Sequence, residues 1–143
     1  MLFKRASRTS AETAFVVVQN VSGSTMTAGY SAVFDVGASV NGVRVTQASS
    51  TDLQAYAGII HADLANSAYG LCQVYGYRAA GYIYSSTGSS VSGDILTVVA
   101  DKWGLTPAAT SGSAKAFGFL CEAVTASSSS QYHLSAKVFV RAL

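Results

Sequence analysis

His61 and Asp63 stand two residues apart, a spacing that puts both side chains on one face of a strand. A histidine held beside a carboxylate can act as a base with its orienter, but a plain structural contact is the commoner use of the same spacing. The rest of the chain offers this pair little help. His133 is the second of two histidines, and the seven Asp and Glu residues are scattered singly. Neither a paired-carboxylate hydrolase nor an oxygen-rich calcium cage can be assembled from such neighbours. Cys72 and Cys121 lie far apart and lack the ligand spacing of a zinc site. In a reducing cytosol they read as two unpaired, buried thiols, with a structural bridge as the alternative. Gly88-Ser89-Ser90 and Gly112-Ser113 lack the strand-then-helix setting and the lysine of a phosphate loop. Asp101-Lys102-Trp103 is the most polar-aromatic spot in the chain, a hairpin corner with Trp103 half buried and open to contact. No catalytic residue, metal or cofactor follows from this inventory, which points away from an enzyme.

Composition points toward assembly. Charged residues are 11% of the 143-residue chain and apolar ones 50%, against about 25% charged in ordinary soluble domains. A surface so poor in charge is sticky, and it suits a protein that works packed against other protein. The net charge of +2 is too small for a nucleic-acid partner, which calls for a dense basic stripe. The basic residues are unevenly placed: Lys4, Arg5 and Arg8 precede the first acid, Glu12. Residues 1–13 lack strand periodicity and are expected to form an extended basic arm that orders only against a partner. No apolar stretch follows these charges as in a secretory signal, and no run of about 20 apolar residues suggests a membrane span. A product that is soluble and cytoplasmic at synthesis, with no membrane partner, is the expectation.

Strand signals separated by Gly, Ser, Asn and Asp clusters fill the remainder, which is the all-β pattern. They fall at 14–20, 30–36, 42–47, 55–61 and 71–77, and again at 80–85, 95–100, 103–107, 116–123 and 132–143. The order repeats. Shifting the sequence by 65 lays Ser22–Thr27 over Thr87–Ser92, and shifting it by 63 lays Tyr69–Ala80 over Tyr132–Leu143. Gly42–Thr46 meets Gly104–Pro107 between these blocks, and Gly58–Ala62 meets Gly118–Ala123. Residues 14–78 and 79–143 are therefore expected to be two copies of one β unit sharing a single core, because a unit of about 65 residues is marginal alone.

The last strand alternates most clearly. Tyr132, Leu134, Ala136, Val138 and Val140 are expected inward; His133, Ser135, Lys137 and Arg141 outward, with Phe139 the exception on the polar side. Carried through the 63-residue shift, this places Tyr69, Leu71, Tyr75 and Tyr77 inside and Arg78 outside with Arg141. The strand at 14–20, apolar throughout, is expected to be covered on both faces.

The second half also resembles a known family. Gly93-Asp94 with Leu96, Gly104 and Pro107, followed by Ala116, Gly118, Glu122 and Ala123, is similar to a segment of the small capsid decoration proteins of tailed bacteriophages. The resemblance implies a non-enzymatic protein bound to the outer capsid surface of a virion, with the major capsid protein and other copies of itself as partners, often as a homotrimer. The fold expected is all-β: an internally duplicated β-barrel or β-sandwich over residues 14–143 with the N-terminal arm in front. Lys4, Arg5, Arg8 and Trp103 are the candidate residues for binding capsid or neighbouring copies. A glycan-binding or host-attachment module using exposed Tyr and Trp is the alternative.

Overall fold

The computed structural model describes residues 2–4, 12–37, 41–85, 89–108, 115–125 and 131–142. Twelve strands form within them: β1 (Leu2–Lys4), β2 (Thr13–Asn20), β3 (Ser31–Phe34), β4 (Arg44–Thr46), β5 (Tyr56–Ile60), β6 (Tyr69–Ser85), β7 (Ser89–Ser90), β8 (Ile95–Val98), β9 (Leu105–Pro107), β10 (Gly118–Leu120), β11 (Val124–Thr125) and β12 (Gln131–Arg141). The protein is all-β, as the spacing of its turn residues predicts.

The strands pair in two circuits. In unit one β2 runs parallel to β4, β4 antiparallel to β3, β3 to β5, and β5 to β6, which pairs back onto β2. In unit two β6 runs parallel to β9, β9 antiparallel to β8, β8 to β10, and β10 to β12, which pairs back onto β6. The sense of every pairing is the same in both. Each circuit returns to its starting strand, so these strands leave few free edges for stray pairing. The sequence predicts separate strands at 71–77 and 80–85; the structure joins them into the 17-residue β6. Its first part closes unit one and its second part opens unit two, with no turn between.

Matched hydrogen bonds fix which residues correspond. Gly29 N–H donates to Ile60 O at 2.9 Å, and Gly93 N–H to Leu120 O at 2.8 Å, both glycines having φ of 96°. His61 N–H donates to Leu71 O at 2.9 Å, and Cys121 N–H to Lys137 O at 2.7 Å. The Met26–Leu64 bridge has its counterpart in Ser90–Val124 of β7 and β11. Ile60 pairs with Cys72 where Leu120 pairs with Val138, so Cys72 corresponds to Val138.

That correspondence corrects the 63-residue shift, which set Tyr75 opposite Val138. Tyr75 is 36% exposed and Val138 0%. The true offset in the last strand is three residues larger, and an odd slip exchanges the two faces of a strand. Cys72 and Val74 point inward; Tyr69, Tyr75 and Tyr77 are exposed, and Arg78 is half-buried. On β12 itself the alternation holds, with Ala136, Val138 and Val140 buried and Lys137 and Arg141 exposed. β2 is covered on one face only, since Val17 is exposed.

Two apolar clusters hold the units. Val18, Met26, Ala32, Val45, Ala57, Ile60, Leu64 and Cys72 fill unit one. The larger cluster joins Ile83, Leu96, Val98, Leu105, Leu120, Val138 and Val140 of unit two to Val33, Tyr56 and Ile59, which face outward from unit one. Each such side chain contributes about 1.5–3 kcal/mol by burial. The units are therefore stacked, the end of unit two seated on the outer side of β3 and β5. Tyr56 and Phe117 meet at 4.7 Å between ring centroids, and Ala142 N–H donates to Val74 O at 2.8 Å across the same junction.

Candidate binding surfaces

The backbone places Lys4 in β1, opposite Thr13 of β2. Residues 2–4 are thus a strand laid back on β2, a departure from the extended arm expected there. The cause is local: β2 pairs with β6 on one side, and at its start the other side is open to a further strand. Arg5 and Arg8 lie outside the described residues.

Trp103 sits in the turn between β8 and β9, half-buried against unit one. Its ring stacks on Tyr30 at 5.0 Å and 18°, while Tyr30 meets Tyr82 edge-on at 4.9 Å. Its carbonyl accepts from Ser31 N at 2.7 Å and Ser31 Oγ at 2.9 Å. Asp101, with φ of 59°, donates its N–H to Ala48 O at 2.8 Å. The corner thus ties the β8–β9 turn to β3 and to the segment before it. No contact among the described residues brings Trp103 and β1 together.

His61 and Asp63 do not engage each other. The His61 ring lies edge-on to Phe15 at 5.0 Å, and the Asp63 carboxylate accepts from Ala28 N at 2.8 Å. Among the described residues no three His, Cys, Asp or Glu side chains converge as metal ligands would. Cys72 and Cys121 are both unpaired. Burial pushes the Cys72 thiol up to about 12, with Arg78 pulling weakly the other way, so it is an inert apolar filler. Burial and the neighbouring Glu122 also raise Cys121. Glu122 is held below the usual carboxylate range by the Lys137 N–H and ammonium, which it meets at 2.8 and 3.1 Å. Asn20, fully buried, donates to Ser24 O at 2.7 Å and Leu64 O at 2.8 Å and accepts from Ser22 N at 2.9 Å, locking the loop after β2.

The surface that sequence reasoning missed is a row of apolar side chains across four adjacent strands. Ile95 of β8 lies opposite Phe119 of β10, Phe119 opposite Phe139 of β12, and Phe139 opposite Tyr77 of β6. Directly opposed residues share a face. Ile95, Phe119 and Tyr77 are 41%, 40% and 39% exposed, and Phe139 half-buried. Phe119 stacks on Phe139 at 5.0 Å, and Tyr75 meets Phe139 edge-on at 5.2 Å. The signal available in the sequence was Phe139, the apolar exception on the polar side of the last strand.

The fold is all-β, with two pairing circuits that share a strand. It is similar to a solved structure, the N base of the head fiber gp8.5 of bacteriophage phi29, with a TM-score of 0.53 at 15% identity, over 91% of this chain and 95% of that one. No protein-family model and no curated protein sequence matches the chain.

Proposed function

We propose that the chain is a non-enzymatic structural protein of a bacteriophage virion, bound to the outer capsid surface, where it stabilises the shell. The observation that carries this reading is the likeness of fold to a head-fiber base over nearly the whole of both chains. The low charge, the exposed aromatic row and a chemistry given over to turns and packing support it. Its partners in this reading are the major capsid protein and other copies of itself, as a homotrimer, after folding in the host cytoplasm. The two units are then copies of one β unit, as the ten matched pairings suggest, and Lys4, Arg5 and Arg8 are basic contacts to the shell or a neighbour.

Exposure of Tyr69, Tyr75 and Tyr77 favours a second reading, a glycan-binding or host-attachment module, since tyrosine faces stack on sugar rings. Cosedimentation of the purified protein with expanded empty shells of its virus tests the first reading, and binding to host polysaccharide tests the second. Shell binding with no polysaccharide binding is expected. The Lys4→Ser, Arg5→Ser, Arg8→Ser triple variant should fold normally but occupy the shell less at low salt and change less with salt than the parent, because the contacts it has lost are the ones that salt screens. Occupancy equal to the parent's across a salt series refutes a role for the arm.

A further inference from the structure

The chain holds three asparagines, Asn20, Asn41 and Asn66, and the structure treats them differently. An asparagine side chain is open to attack by the backbone nitrogen of the residue that follows it, because the five-membered ring so formed carries little strain. The attack needs that nitrogen free to lose its proton and turn toward Cγ. Val21 N–H, after Asn20, donates to Val45 O at 2.9 Å, and Ser67 N–H, after Asn66, donates to Asn20 O at 2.7 Å. Among the described residues no acceptor engages Gly42 N–H, after Asn41. Asn20 is also fully buried, its amide nitrogen donating to two carbonyls, whereas Asn41 and Gly42 are exposed. Of the three following residues only Gly42 lacks a Cβ, and a Cβ built there would find nothing within 4 Å, so ring closure and incoming water meet no neighbour. The acceptor side is prepared as well. Asn41 Oδ1 accepts from Val43 N–H and Arg44 N–H, both at 3.1 Å. Attack on Cγ moves an electron pair onto this oxygen, and two N–H groups already aimed at it stabilise the charge that develops. Gly42, with φ of 76°, supplies the left-handed turn that brings both donors round.

We propose that Asn41 is a site of self-modification, where the chain converts its own amide to a carboxylate. The Gly42 nitrogen, its proton taken by hydroxide, bonds to Cγ; the Cγ–Nδ2 bond breaks, and Nδ2 takes a proton from water and leaves as ammonia. Water then opens the cyclic imide at either carbonyl, leaving an aspartyl or an isoaspartyl residue at position 41. One water is consumed, one ammonia is released, and the net charge of +2 falls by one. In the aspartyl form the new carboxylate keeps the Val43 and Arg44 N–H groups as charge-assisted partners, so the turn is retained. The isoaspartyl form adds a methylene to the backbone just before β4. There Val43 O accepts from Gln19 N–H at 2.7 Å and Arg44 lies opposite Gln19, so the longer backbone works against the pairing of β4 with β2.

The inference goes beyond the proposed function and does not depend on it. Incubation of the folded chain in warm, mildly alkaline buffer, followed by mass analysis of the intact chain and of its proteolytic peptides, tests it. The peptide that holds position 41 should gain one mass unit and separate into two products, while those holding Asn20 and Asn66 should convert at least about tenfold more slowly. A synthetic peptide of residues 37–46 in the same buffer gives the rate without the turn, and the folded chain should match or exceed it. A folded rate below the peptide's, or one no faster at position 41 than at Asn66, overturns the proposal. Gly42→Ala should slow the conversion by about tenfold, and Asn41→Gln should abolish it, because a glutamine must close a six-membered ring. Ammonia release that persists undiminished in Asn41→Gln places the chemistry elsewhere and overturns the assignment.

Discussion

Gly118→Ala separates close packing from backbone conformation as the reason for a glycine. A Cβ on Gly118 would lie well inside 3.0 Å of the Phe139 carbonyl oxygen, a distance that real Cβ atoms essentially never show. The oxygen belongs to β12, so no flexible side chain can yield; β10 must move away. The bonds that flank this contact are Arg141 N–H to Phe117 O at 2.8 Å and Cys121 N–H to Lys137 O at 2.7 Å. Loosening both costs about 2 kcal/mol at about 1 kcal/mol each. Partial loss of packing around buried Leu120 and Val140 adds about 1 kcal/mol, and the stiffer unfolded chain returns about 0.5 kcal/mol. The net loss is about 2–3 kcal/mol, or a thermal midpoint lower by about 6–10 °C for a chain of this length. Gly42→Ala is the control: its φ is 76° and nothing lies within 4 Å of the added Cβ, so the cost is the left-handed conformation alone, about 1 kcal/mol. Thermal and urea unfolding, followed by far-UV circular dichroism and the fluorescence of Trp103, measures both. Should Gly118→Ala cost no more than Gly42→Ala, the close approach of β10 to β12 is not what that glycine serves. Gly58, its counterpart, combines a similar overlap with Gln73 O and a φ of 139°, and should be costlier still.

The buried thiol gives an alkaline signature. The folded state holds the Cys72 proton up to about 12 against an ordinary value of 9.0, so above that value the unfolded state binds fewer protons and stability falls as pH rises, by up to about 4 kcal/mol at pH 12. Cys72→Val, which installs the residue found at the matched Val138, should reduce the decline between pH 9.0 and 10.0; Cys121, raised by burial and Glu122, keeps part of that slope, and Tyr56, also raised by burial, adds one above it. A decline equal to the parent's in pH-dependent urea unfolding counts against the burial argument. Asn20→Ala should cost about 2–3 kcal/mol, since it leaves the Ser22 N–H without its acceptor and takes one of two donors from the Leu64 carbonyl, which keeps Met26 N–H, and from the Ser24 carbonyl, which keeps Ser22 Oγ. A loss below about 1 kcal/mol in the same unfolding assay would mean that water replaces the amide.

Local pattern determined which stretches are strands. Each apolar run bounded by Gly, Ser, Asn or Asp became a strand within a few residues of its expected limits, because turn chemistry and burial of alternate residues act over short distances. The inward face of β12 was legible for the same reason in its described part. Register across the repeat was not. Ser and Gly recur so often that a shift of 63 matches Tyr69–Ala80 to Tyr132–Leu143 as plausibly as the true offset, and only the Ile60–Cys72 and Leu120–Val138 pairings decide between them. The fusion of two predicted strands into β6, the strand pairing of Leu2–Lys4, and the exposure of Val17, Tyr75 and Tyr77 likewise depend on which strand lies alongside. The apolar row followed from the same cause: Ile95, Phe119, Phe139 and Tyr77 come from four separate stretches of chain, and no local spacing marks them as neighbours. Tertiary pairing alone brought them into one line.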